Sequence, residues 1–415
     1  MPNNSIREKC HINTNYDSDT FVGIKCENGD FTISFPLGFS VSEDERLLRK
    51  EIVMMLACIS SATSQMESKL LSGRRTYPEE GFPFQAYLYV LTDFYDRGYY
   101  KEREQQFQVS RKGKIDWNRT IKTQKPYVQG NNAFYLDFVT RKSAVNENEM
   151  ITLIHEFLVY DSMRKIGWLF TSADPAKPRI KYNPKLFKTV IIDKLNHTFN
   201  DRNKTLFKNM LAIIDHLQDE NAPVNYKCGT NRFEYVWESL IDRVYGIRGK
   251  EEYFPKTTWH IGSVAYNNAS LEPDSIMICR GNIYVLDAKY YKYGATRKPW
   301  DLPESTSINK QITYGEYIAE EKKFKLKHGN DYKTYNAFIM PFNRLSWDTK
   351  ENLISIGEAT SDWKSDTKEY ERIVGILIDV KHLMQISVAE EEEEILLLAQ
   401  KIEETISGGY YDKAH

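Results

Sequence analysis

Between Leu271 and Gly294 the chain reads LEPDSIMICRGNIYVLDAKYYKYG. Pro273-Asp274 is followed, after twelve intervening residues, by Asp287-Ala288-Lys289. Two carboxylates brought together repel each other unless a cation lies between them. A hard divalent ion, Mg²⁺ or Mn²⁺, binds through such oxygens, and Asp274, Asp287 and the Ala288 carbonyl form the candidate metal set. The ion would polarise a phosphate and lower the pKa of a bound water. Lys289 would hold that water or stabilise developing negative charge. These are the needs of phosphodiester hydrolysis. Taken singly, Pro-Asp commonly opens a turn and a strand-end Asp-x-Lys is commonly a solvated ion pair. The combination, at the end of an apolar Tyr/Val/Leu run, points to a nuclease.

The elements around these residues must bring them together. The apolar runs either side of Arg280-Gly281-Asn282 predict two strands joined by a turn. Side chains alternate across a strand, so Asp287 and Lys289 share a face, and the hairpin returns Asp274 beside them. A helix predicted over residues 232–245 (RFEYVWESLIDRVY) carries Glu234, Glu238 and Asp242, four apart and on one face. Glu238 is the preferred further carboxylate for the metal side, with Glu234 in reserve; a solvated acidic face explains the same spacing. A second helix, about residues 307–322, offers Lys310, Gln311, Tyr314 and Tyr317. Gln311 is a candidate for orienting water or touching a phosphate, although an ordinary amphipathic helix fits equally. Strands near 259–265, 334–341 and 373–380 and a last helix over about 390–404 complete the pattern of an α/β domain with a mixed sheet.

Upstream, FVGIKC and FTISF flank an Asn-Gly and predict a hairpin. Ser42 and Glu45 form a capping-box pattern before a helix to about residue 71. A Gly/Arg/Pro-rich loop (SGRRTYPEEGFP) precedes helices near 84–100, 147–166 and 186–217, with extended segments near 107–110 and 131–139 between them. The polar, Pro-containing loop at 219–227 resembles a domain boundary. The expected division is an α+β region over residues 1–225 and an α/β nuclease domain over 226–415.

A chain of 415 residues with 41% apolar and 27% charged residues is a folded protein of two or three domains. Its net charge of −2 excludes a surface that grips nucleic acid everywhere, though not a local basic groove. The most basic stretch, residues 101–125, holds eight Lys or Arg against three acids. Its Arg111, Lys112, Lys114, Arg119 and Lys122 are candidates for contact with DNA or with an acidic partner surface; exposed strands are often basic for neither reason. The five cysteines show no CxxC pair, which predicts buried reduced thiols rather than a disulfide framework or zinc site. The N-terminus lacks the apolar core of a signal peptide and no run of about 20 apolar residues occurs, so the expected compartment is the cytoplasm. There is no GxxxxGK[ST] phosphate loop, so the chain is not itself a P-loop motor.

The set Glu238, Pro273-Asp274 and Asp287-Ala288-Lys289 resembles the PD-(D/E)XK nuclease superfamily. More narrowly, KGKIDWNRTI (residues 112–121), YVWE (235–238) and the run from LDAKYY (286–291) to SINKQITYGEY (307–317) resemble the LlaJI restriction endonuclease family, itself similar to McrC nuclease subunits. The resemblance covers roughly residues 20–400. It implies a metal-dependent restriction nuclease acting on double-stranded DNA with a separate McrB-like AAA+ NTPase subunit, and it leaves room for self-association. It also marks a departure. Related recombination nucleases place a Tyr four residues after the helix Gln, where this chain has Gly315. A self-sufficient Type II restriction endonuclease is the first alternative. A non-catalytic assembly adaptor is the second, but an adaptor has no reason to tolerate the electrostatic cost of an intact Asp-x-Lys.

Overall fold

The computed structural model describes residues 5–70, 82–130, 132–146, 149–171, 175–217, 224–387 and 392–408. Residues 72–81 of the expected loop at 72–83 and residues 219–223 of the expected boundary loop at 219–227 lie outside the described residues. Two compact units form, one from Met1–Gly81 with Asn225–His415 and the other from Phe82–Val224. One boundary between the units lies between Val224 and Asn225. Residues 5–70 fold with the C-terminal half, so the expected 1–225 region is not one unit.

The reason is strand pairing. Val22–Glu27 and Asp30–Phe35 form the expected hairpin, with Asn28 and Gly29 both at positive φ. Val22–Glu27 then pairs antiparallel with Tyr226–Thr230, and Cys10–Ile12 adds a parallel edge, giving a four-stranded sheet. Helix Glu45–Leu70 packs against helix Phe233–Tyr245. The Leu37 amide donates to the Tyr290 hydroxyl at 2.7 Å, and Asn15 donates to the Tyr290 carbonyl. Sequence periodicity sees the two strands of a hairpin but not a third that arrives two hundred residues later.

The same unit holds a five-stranded mixed sheet in the order Ser275–Cys279, Asn282–Ala288, Thr334–Phe342, Ile373–Asp379, Leu353–Ala359. The outer pairs are antiparallel and the inner ones parallel. Thr334–Phe342 and Ile373–Asp379 are buried along their whole length, as strands covered on both faces must be. Helix Ser305–Glu320 covers one face, with Tyr314 and Ile318 against Ile276, Ile283 and Val285, and Ile312 against Phe338 and Met340. On the other face Tyr284 and Tyr335 stack, and the Tyr284 hydroxyl donates to Glu403 of helix Glu392–Ser407.

Two expected elements divide. The run 259–265 is a hairpin, Thr258–Ile261 with Val264–Asn267, turning at Gly262. The run 186–217 is two helices, Pro184–His197 and Asp201–His216, because Asn200 caps the second by accepting from the Asn203 amide. Both belong to signals, a glycine turn and an Asn cap, that a continuous apolar pattern masks. The second helix pair lies in the unit Phe82–Val224, with helices Phe84–Arg97 and Met150–Ile166 and a small sheet of Glu102–Val109, Val139–Asn146 and Lys114–Ile115. None of the five cysteines takes part in a disulfide. Among the described residues no helix is long and apolar enough to cross a membrane.

Candidate active site

The hairpin that carries the acidic pair closes through Arg280 and Gly281, both at positive φ, with Cys279 opposite Asn282. This two-residue turn fixes the register, and Ser275 falls opposite Leu286. Asp274 is the next residue beyond this ladder, and its carboxyl lies within hydrogen-bond reach of Asp287. Lys289, two residues beyond Asp287, projects to the same side, and its Nζ lies 2.5 Å from Asp287 Oδ2. Asp287 is only 6% exposed.

The proline has a structural reason. Counting from Cys279–Asn282, every second pair of the hairpin exchanges ladder hydrogen bonds, which would next join Pro273 and Ala288. Proline has no N–H. The Ala288 amide instead donates to Asp274 Oδ2 at 2.8 Å. The Ala288 carbonyl points to the same side and receives no ladder donor from position 273. Two carboxylates and this carbonyl therefore converge at the hairpin's open end, an all-oxygen set suited to a hard cation. Among the described residues no three of His, Cys, Asp or Glu form a ready-made cage.

Electrostatics mark the same place. Burial pushes the Asp274 carboxyl up to about 8, and the charges of Asp287 and Glu238 add to the rise while Lys289 opposes it. Burial works against the Lys289 ammonium, yet Asp287 and Asp274 outweigh it and hold Lys289 above its ordinary range. Without a cation, the cluster therefore retains a proton near neutral pH.

Of the two helix acids, Glu238 is the one whose charge bears on Asp274. Glu234 accepts from Arg232 at 2.9 Å at the start of the helix and acts on Tyr290 instead. Asp242, a turn beyond Glu238, is taken by Lys250, whose ammonium also donates to the Asp274 carbonyl. Lys250 thus ties the acidic helix to the aspartate strand. It precedes Asp274 by 24 residues and carries no motif, so no local pattern marks it.

Gln311 is 1% exposed and its amide nitrogen donates to the Val285 carbonyl at 2.7 Å, clamping the Asp287 strand from the helix above. Its Oε1 is buried as well and has no hydrogen-bond partner among the described residues. Tyr314 sits nearer the chemistry. Its hydroxyl donates to the Glu272 carbonyl, and burial together with the Asp287 and Asp274 charges keeps its proton on. Gly315 is explained by packing. A Cβ there would lie 2.5 Å from Asn336 Nδ2 and 2.7 Å from Tyr370 Cβ, so no tyrosine fits.

The basic candidates belong to the other unit. Lys112, Lys114 and Lys122 are exposed, Arg111 stands 3.7 Å from Asp137, and Arg119 stacks over the Phe107 ring at 3.7 Å.

The family model described as LlaJI restriction endonuclease matches residues 21–358, which include every member of this cluster. The chain belongs to the LlaJI restriction endonuclease family. The chain is also similar to the Type II restriction enzyme BsuMI component YdjA of Bacillus subtilis (strain 168), 26% identical over 261 residues. That match covers 59% of this chain and 55% of YdjA, so the chain spans about half the length of the curated relative it matches. Among solved structures, the refined half-complex from a tetradecameric assembly of Thermococcus gammatolerans McrB AAA+ hexamers with bound McrC aligns over 94% of this chain and 83% of that one. The identity is 16% and the TM-score 0.40, too loose to assign this chain a fold or a partner.

Proposed function

We propose that this chain is a divalent-metal-dependent DNA endonuclease of the PD-(D/E)XK type, the nuclease subunit of a restriction system, switched on by a McrB-like AAA+ partner. The observation that carries the chemistry is the convergence of the Asp274 and Asp287 carboxyls beside the Ala288 carbonyl, for which Pro273 has no N–H to donate. Asp274, Asp287 and the Ala288 carbonyl would hold Mg²⁺ or Mn²⁺, with Glu238 the further carboxylate whose charge bears on Asp274. The metal, when bound, supplies Lewis acidity toward a phosphate oxygen and a more acidic water. Lys289, held by Asp287, keeps its charge and so can stabilise negative charge developing on the phosphate. Tyr314 and Gln311 fix the helix and strand that frame the pair. The helix–hairpin–helix–strand order agrees with the PD-(D/E)XK arrangement.

Dependence on a partner rests on the family resemblance and on the chain's own lack of a phosphate loop; the name of YdjA, a component of a Type II restriction enzyme, is in keeping with it. The test is plasmid cleavage by the chain alone and with the AAA+ subunit, with and without hydrolysable nucleotide. Robust cutting is expected only from the pair with nucleotide and Mg²⁺. Site-specific cutting at full rate by the chain alone would promote the self-sufficient endonuclease, and wild-type cutting in excess EDTA would remove the metal mechanism.

A further inference from the structure

The hairpin Thr258–Ile261 with Val264–Asn267 has every residue exposed. Directly opposite residues of an antiparallel pair share a face. Trp259 faces Tyr266 and Ile261 faces Val264, so all four large apolar side chains lie on one side of the hairpin. They are 64%, 54%, 62% and 49% exposed. The opposite side presents Thr258, His260, Ala265 and Asn267. A lone two-stranded hairpin is marginal in water, and an apolar patch of this kind marks a place where something binds.

Its position says what. The hairpin base is tied by Asn268 N to the Thr257 carbonyl and Leu271 N to the Pro255 carbonyl. The chain then passes through Glu272, held by Tyr314, into Pro273-Asp274. The hairpin, about 13 Å long, ends seven residues before Asp274. Charge agrees. Acids make up 58 of 415 residues, yet residues 256–271 contain no Asp or Glu, and their basic side chains are Lys256 and His260. An acid-free ridge beside an acidic site suits a polyanion, and its ordered rings and aliphatic tip suit base faces.

We infer that this hairpin is a DNA-engaging wedge, with Trp259 and Tyr266 stacking on bases and Ile261 and Val264 entering a groove or base step next to the cleaved phosphate. The inference rests on the nuclease reading for its choice of DNA. The test uses the full chain, a 30-base-pair duplex carrying 2-aminopurine, and EDTA, so that binding is read whether or not the carboxylates hold metal. Wild type is expected to raise 2-aminopurine fluorescence as bases unstack. Trp259→Ala with Tyr266→Ala is expected to bind at least about tenfold more weakly by anisotropy and to leave the fluorophore dark, with an unchanged melting temperature. His260→Ala, on the opposite face, is expected to keep the signal. Equal binding by the double variant overturns the inference, as does wild type that binds no duplex. A double variant that instead loses self-association in sedimentation assigns the face to a second copy and also overturns it. Hairpin-dependent binding by a chain that never cuts, with or without its partner, sinks the nuclease reading and leaves the wedge standing.

Discussion

Asp274→Asn separates electrostatic cost from packing at the centre of the site. Asp274 is raised from 3.8 to about 8 by burial and by the Asp287 and Glu238 charges. Between these values the folded chain holds a proton that the unfolded chain releases. Stability in the absence of metal therefore falls as pH rises through about 4 to 8, and the loss is complete above about 8. Four pKa units at ~1.4 kcal/mol each set a ceiling of about 5–6 kcal/mol. The carboxyl is partly open to solvent and shares its charge with Lys289, which brings the expected effect to about 2 kcal/mol. Asn keeps an acceptor for the Ala288 amide and removes the charge. In EDTA at pH 8.5 the variant should melt about 4–8 °C above wild type, and the gap should shrink to near zero by pH 4. Scanning calorimetry at a series of pH values reads this directly. Mn²⁺ at 100 times its Kd should then stabilise wild type at pH 8.5 by about 2.7 kcal/mol and leave the variant nearly unmoved. A gap independent of pH, or a variant less stable at pH 8.5, refutes the reasoning.

Other outcomes follow from single contacts. Lys289→Ala should cost at least about a hundredfold in cleavage by the complete system while calorimetry still detects Mn²⁺ binding; cleavage at the wild-type rate ends its assignment. Lys250→Met should weaken Mn²⁺ binding about tenfold by loosening the Asp274 backbone, an effect absent if Lys250 only braces the helix. Gly315→Ala should lower stability by about 1–3 kcal/mol, since its Cβ would press on Asn336 and Tyr370; an unchanged melting temperature would show that the strand yields freely. Removing residues 1–225 should yield an insoluble chain, because three strands and the helix against Phe233–Tyr245 go with them; a folded, metal-binding remainder would contradict the pairing of Val22–Glu27 with Tyr226–Thr230.

The reactive core of this protein is written in local sequence. A hairpin's register follows from its turn, so Arg280-Gly281 and the strand alternation already bring Asp274 beside Asp287 and put Lys289 on the same face as Asp287. Pro273 belongs to the same local logic, since a missing N–H is a property of the residue. The helix after the site and the inner strands were legible from period alone. What lay beyond was decided by contacts far apart in sequence. Residues 5–70 join the C-terminal half through an edge strand that no periodicity announces. Glu238 rather than Glu234 bears on Asp274 because of how the helix lies across the strand, and Lys250 reaches Asp274 across 24 residues. Gln311 also clamps the Asp287 strand, because the helix is pressed onto Val285 so closely that its amide nitrogen reaches that carbonyl. Local chemistry sets register and side-chain direction within a few residues, whereas only packing settles which of several equivalent side chains on a helix faces the site.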